Sequence, residues 1–102
     1  MPYIISYIYY PPNQAEKVGK KYLEMFKKLP LISSIKRVVP AAVTSTEKGI
    51  EVMVVDEVKR ENQGEVIDYL AKFLIEFRDI DGFRYYIHSW STLNEAMAYI
   101  GM

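Results

Sequence analysis

Hydrophobic residues along this 102-residue chain keep two different rhythms, and the changes between them mark the elements. Residues 3–10, YIISYIYY, are almost entirely β-branched or aromatic and close on Pro11-Pro12, which predicts a strand. The rhythm then lengthens: Ala15, Val18, Tyr22, Met25, Phe26 and Leu29 recur at helical spacing, with five lysines on the remaining surface. Asn13, three residues before Glu16, predicts an N-cap with its reciprocal partner, and Pro30 stops the helix. Residues 33–45 read as extended, but Pro40 removes a ladder donor, so an edge or bulged strand is expected. Thr46 to Gly49 turns the chain into the strand EVMVVDEVK. Asn62 and Glu65 repeat the capping pattern ahead of a second helix with Val66, Ile67, Leu70, Phe73, Leu74 and Phe77 on one face. Asp81-Gly82 turns into FRYYIHSW, a fourth strand. Thr92 and Glu95 cap a short last helix striped by Leu93, Ala96, Met97 and Ile100. There are no internal repeats, low-complexity tracts or linkers. The order predicts an α+β fold, a ferredoxin-like βαββαβ unit with a four-stranded antiparallel sheet. One domain over 1–102 is expected, with its core in 3–91 and a C-terminal helix at 92–100.

Two helices cover one face of such a sheet and leave the other open. An open face that met water should alternate apolar with polar residues. Here Tyr3, Ile5, Tyr7 and Tyr9 alternate with Ile4, Ser6, Ile8 and Tyr10. In the third strand Ile50, Val52 and Val54 alternate with Met53 and Val55. In the fourth, Phe83, Tyr85 and Ile87 alternate with Tyr86, His88 and Trp90. Both faces are therefore expected to be covered, and a second copy of the sheet supplies that cover as a homodimer or part of a larger oligomer. The last helix is too short to hold itself together and is expected to dock on the partner or the sheet edge.

This element order, length and two-sided strand pattern resemble the dimeric α+β barrel superfamily across residues 3–91. That group includes cofactor-independent monooxygenases of the antibiotic-biosynthesis type, muconolactone-isomerase-like enzymes, stress-responsive barrel proteins and haem-degrading relatives. The resemblance implies a homodimeric barrel and, in the enzymes, pockets lined by Tyr, Trp, His and Arg that act on aromatic polyketides. It rests on pattern rather than on a residue motif, so it carries over no catalytic position.

Composition narrows the chemistry. Lys plus Arg balance Asp plus Glu at 13 each, which removes the electrostatic footprint of a protein for nucleic acid or anionic membranes. With no cysteine, disulfides, thiolate metal sites, iron–sulfur clusters and thiol nucleophiles are excluded. A single histidine works against a protein-built metal site, and no cofactor is expected; haem on one axial imidazole is the residual possibility. No apolar run reaches the ~20 residues of a membrane helix. The opening MPYIISYIYYPP lacks a basic leader region, so the expected location is the cytoplasm. Nine Tyr, nine Lys and nine Glu against three Asn and two Gln lean toward a heat-adapted composition. The RNA-recognition signature fails because Lys48-Gly49 is followed by aliphatic residues where stacking aromatics are needed. Neither a P-loop, a dinucleotide fingerprint, a GxSxG elbow nor HExxH occurs.

The candidate chemistry gathers around His88. Alternation puts Arg84, Tyr86, His88 and Trp90 on one side of the fourth strand. Imidazole is the side chain suited to proton transfer at neutral pH, so His88 is the candidate general base, with Arg84, Tyr86 and Trp90 as candidate ligand contacts. Tyr7 and Ser6 join them from the first strand. Ser6 marks either a close backbone approach or a cavity. Arg37 is expected to meet an anionic ligand or a carboxylate of the partner subunit. Asp56 and Glu57 point to opposite faces and are expected to be solvated strand-end charges. The preferred expectation is a ligand-binding or assembly module, acting on itself and on a small aromatic ligand. The alternative is a cofactor-free monooxygenase, cyclase or isomerase with His88 as base.

Overall fold

The computed structural model describes all 102 residues. The chain is α+β: strand β1 (Tyr3–Tyr10), helix α1 (Ala15–Lys28), strands β2 (Ile35–Thr46) and β3 (Gly49–Val58), helix α2 (Gln63–Ile75), strand β4 (Arg84–Trp90) and helix α3 (Leu93–Tyr99). The strands form one antiparallel sheet in the order β2-β3-β1-β4. Consequently β1 and β3 lie at the centre, while β2 and β4 are edges. Pro40 has the effect expected of it. The β2–β3 register slips between Arg37 and Val39 and again between Val39 and Ala42, because a residue without an N–H cannot hold a regular ladder.

Two expected caps are not formed. A 3-10 turn precedes each long helix, Pro12–Gln14 before α1 and Arg60–Asn62 before α2. The residues at the heads of the α-helices, Gln14 and Asn62, therefore sit near φ −100° and ψ 0° rather than in the extended region that aims a side chain at the first turn. Neither makes a capping hydrogen bond, and Asn13 lies inside the turn. Glu65 instead accepts from the Ser34 hydroxyl. The third cap forms as expected: the Glu95 amide donates to the Thr92 hydroxyl at 3.2 Å, and the Thr92 amide to the Glu95 carboxylate at 2.8 Å. The α2 helix stops at Ile75, two residues short of Phe77, which is nevertheless buried to 2 % exposure in the following turn.

Helices α1 and α2 share one face of the sheet. Their apolar stripes meet Ile4, Ile35 and Val58, with Ile8, Tyr10, Phe83, Tyr85 and Ile87 packed around them. Rings thread this layer: Phe77 stacks on Phe83 at 4.9 Å, and Phe73 meets Tyr22 and Phe26 edge-on. Burying one such phenylalanine contributes up to about 3 kcal/mol. The two helices contribute unequally. Val66, Tyr69, Leu70, Phe73 and Leu74 of α2 are buried, against only Val18 and Met25 of α1.

Candidate functional site

Pleating and register sort the candidate residues onto opposite faces of the sheet. Tyr7 stands opposite Met53 and Tyr86, and Ile5 opposite Val55 and His88. Tyr3 is paired with Trp90, and Tyr9 with Arg84. Tyr7, Arg84, Tyr86, His88 and Trp90 therefore share the face that carries no helix. Ser6 and Arg37 lie on the other, beneath α1 and α2, so the seven candidates do not form one site.

The open face is an aromatic field with charges at its two ends. The Tyr7 ring meets His88 edge-on at 5.8 Å, and Tyr9 meets Tyr86 edge-on at 5.9 Å. The Arg84 guanidinium lies 5.5 Å from the Tyr9 ring centre, within cation–π range. Ile5, Met53 and Val55 continue the field across the central strands. At one end Lys36 faces Glu57 at 4.0 Å; at the other Glu51 and Arg84 flank Tyr9. Tyr86 and Trp90 remain nearly half exposed. Such a surface offers stacking, edge-to-face contacts and an imidazole that donates or accepts. Around His88 it supplies rings rather than the carboxylate that would orient a general base.

The helix-side face corrects two expectations. Asp56 is not a solvated strand-end charge but is fully buried, alongside Val54 and Val58. It stands opposite Arg37 in the β2–β3 ladder, and the two form a fork: Nε donates to Oδ1 at 2.8 Å and Nη2 to Oδ2 at 3.1 Å. The carboxylate of Arg37 thus comes from its own chain and not from a partner subunit. Burial opposes the Arg37 charge, but the hydrogen bonds and attraction of Asp56 outweigh it and raise the guanidinium pKa. A signal for this pair lay in the sequence, since alternation places Asp56 with three valines and a carboxylate there requires a cation.

Ser6 lines a cavity of about 210 Å³ between the sheet and the two helices. Its walls include Tyr10, Tyr22, Tyr69, Phe73, Phe77 and Phe83, with Arg37 at the polar end. Burial pushes the phenols of Tyr10, Tyr22 and Tyr69 above their ordinary value of 10.0, the signature of a space hostile to negative charge. The Tyr69 hydroxyl donates to the Leu29 carbonyl at 2.9 Å. None of these three tyrosines stood out in the sequence, where Tyr22 read as one member of a helical stripe, Tyr10 as the end of the first strand, and Tyr69 was not singled out.

Helix α3 is tied to the body by polar contacts. Arg60 donates to Glu95 at 2.7 Å and to the Tyr99 hydroxyl at 3.2 Å, and the Met1 amino group lies 4.0 Å from Glu95. Its apolar residues Leu93 and Ile100 are more than 70 % exposed and find no cover within their own chain, whereas Met97 is half-buried. No helix of the chain is long and apolar enough to cross a membrane.

No family model matches the chain, and no curated protein matches it. Among solved structures it is similar to a de novo designed protein, Foldit4, at 14% sequence identity and a TM-score of 0.55, covering 89% of this chain and 96% of that one. At that identity the likeness speaks for the fold alone, a small α+β unit built on a four-stranded antiparallel sheet.

Proposed function

We propose that the chain is an assembly module whose open sheet face is buried against a second copy of itself, the face-to-face ferredoxin-like barrel dimer that the sequence implies. The observation that carries this reading is the uncovered aromatic face, with its apolar centre at Ile5, Tyr7, Met53 and Val55, Tyr86 and His88 beside it on the edge strand, and its charges confined to the ends. An apolar middle inside a polar rim is the layout of a protein–protein interface. The ends carry both signs, Lys36 with Glu57 and Glu51 with Arg84, so a two-fold related copy meets no uniform repulsion. Zero net charge removes the long-range barrier to self-association as well.

Area argues for the same occupant. A compact monomer of this mass exposes about 5,900 Å², whereas this chain exposes 6749 Å². The excess, roughly 850 Å², goes with an elongated chain of 49 × 32 × 18 Å that leaves more surface uncovered than a compact monomer does. The radius of gyration is 14.9 Å, where a self-sufficient domain of this length has about 13 Å. The exposed Leu93 and Ile100 of α3 add surface that a partner would cover. On this reading His88 is an interface residue rather than a base.

The test is native mass spectrometry with sedimentation at micromolar concentration. The expected result is a mass of two chains, converted to a folded monomer by the double substitution Tyr86→Glu and Trp90→Glu. A wild-type protein that stays monomeric at hundreds of micromolar would overturn the proposal.

A further inference from the structure

Ser6 is the oddity of the helix-side face. It lies in the middle of central strand β1, is 1 % exposed, and its hydroxyl has no hydrogen-bond partner in the protein. Leaving a buried hydroxyl unsatisfied costs on the order of 1–3 kcal/mol, and an alanine there would avoid that cost. The same side chain lines the 210 Å³ cavity, where fifteen of the eighteen lining residues are hydrophobic. A bridging water needs two to four polar partners, and these walls supply few. From this we infer that the cavity is a binding site for a small neutral aromatic molecule carrying one hydrogen-bonding oxygen, with Ser6 as its polar anchor. The site lies on the opposite side of the sheet from the proposed dimer face, so it stands or falls independently of the assembly.

Size, walls and charge each narrow the ligand. An apolar cavity of 150 Å³ accepts benzene, so about 210 Å³ takes one ring with a few further atoms. Tyr10, Tyr22, Phe73, Phe77 and Phe83 offer ring edges and faces, and edge-to-face contact favours an aromatic guest. Arg37 does not make this an anion site, because both oxygens of Asp56 already hold its fork at 2.8 and 3.1 Å. A second buried carboxylate would enter with no cation of its own. The raised phenol pKa values of the same walls agree with that exclusion. The way in runs between α1 and β2, where the lining residues Ala15, Gly19, Ala41 and Val43 are exposed. Gly19 lies in open space at this mouth, since a Cβ added there would meet nothing within 4 Å, so only a long side chain there would reach across it.

The experiment titrates the full chain with p-cresol, toluene and benzoate, following the methyl signals of Val18, Val54 and Leu70 by NMR. Saturable shifts are expected with p-cresol, weaker binding by about five- to tenfold with toluene, the worth of one net hydrogen bond, and none with benzoate. Ser6→Ala should bring p-cresol down to the toluene affinity while the protein stays folded. Gly19→Leu should weaken both at the mouth without touching Ser6. Equal binding of p-cresol and toluene to the unaltered chain would overturn the anchor. Preference for benzoate would overturn the ligand class, and unmoved cavity signals with all three would overturn the site.

Discussion

The two faces of the sheet are made by the same strands, yet they are finished in opposite ways. On the helix side Ile4 and Val58 are completely buried, and the one carboxylate, Asp56, is met by a fork from Arg37. On the open side Tyr86 and Trp90 are half exposed and the rings contact one another edge-on. Strand alternation alone decides which residue goes where. What differs is whether the chain brings its own cover. A face that has it is settled within the chain; the other is left with a hydrophobic surface still to place.

That contrast can be broken from either side. The largest effect is expected from Asp56→Ala, which strands the part-buried Arg37 charge and should cost about 3–5 kcal/mol in urea unfolding. If it cost less than 1 kcal/mol, the pair would be incidental to the fold. Ile4→Ala, on the same face, should cost about 2–5 kcal/mol through the cavity it opens. On the other face of the same strand, Tyr7→Ser should change unfolding of the dissociated chain by less than about 1 kcal/mol. It should instead weaken self-association about tenfold or more, read by dilution. Gly19→Ala, at the exposed mouth, should add up to about 1 kcal/mol of helix stability, since the methyl has open space.

The smallest effect concerns α3. The Glu95 carboxyl is held below its ordinary 4.5 by the Thr92 amide first, and then by the Thr92 hydroxyl, Arg60 and the Met1 amino group. A carboxyl with a lower pKa folded than unfolded adds stability above the unfolded value and loses it as pH falls through the folded one. Protection factors at the Ala96–Tyr99 amides, that is, exchange corrected for its intrinsic slowing in acid, should therefore fall as pH drops below about 4.5, while the sheet stays protected. Simultaneous loss of both would mean that α3 is not separately held.

Much of this contrast was legible in the sequence. A run such as YIISYIYY with Pro11-Pro12 behind it leaves few choices but a strand, and period-two alternation separates Tyr7 from Ser6 within it. Which of the two shares a face with His88 depends on the register between strands, so Ser6 was grouped there although it faces the helices. Pro40 marked the irregular edge for the same local reason. The capping residues misled because a 3-10 turn before each long helix moves the head residue out of the extended conformation a cap needs, and nothing in Asn13 or Asn62 announces that turn. Asp56 was misjudged because its partner Arg37 sits nineteen residues away, in a strand whose register is shifted by bulges. The cavity was least accessible of all. Ser6 drew notice as the one small polar residue in β1, but the space beside it depends on how far α1 stands from the sheet, which amphipathic spacing does not encode.

The strand order also bears on how the chain is made. Both neighbours of β1 come from Gly49 onward: Tyr3 is aligned with Glu57 on one side and with Trp90 on the other. A ribosome must therefore release nearly the whole chain before its most aggregation-prone segment, YIISYIYY, can be shielded on both edges. Fragments that end before Gly49 carry that segment with no strand to pair it, and should precipitate where the full chain does not.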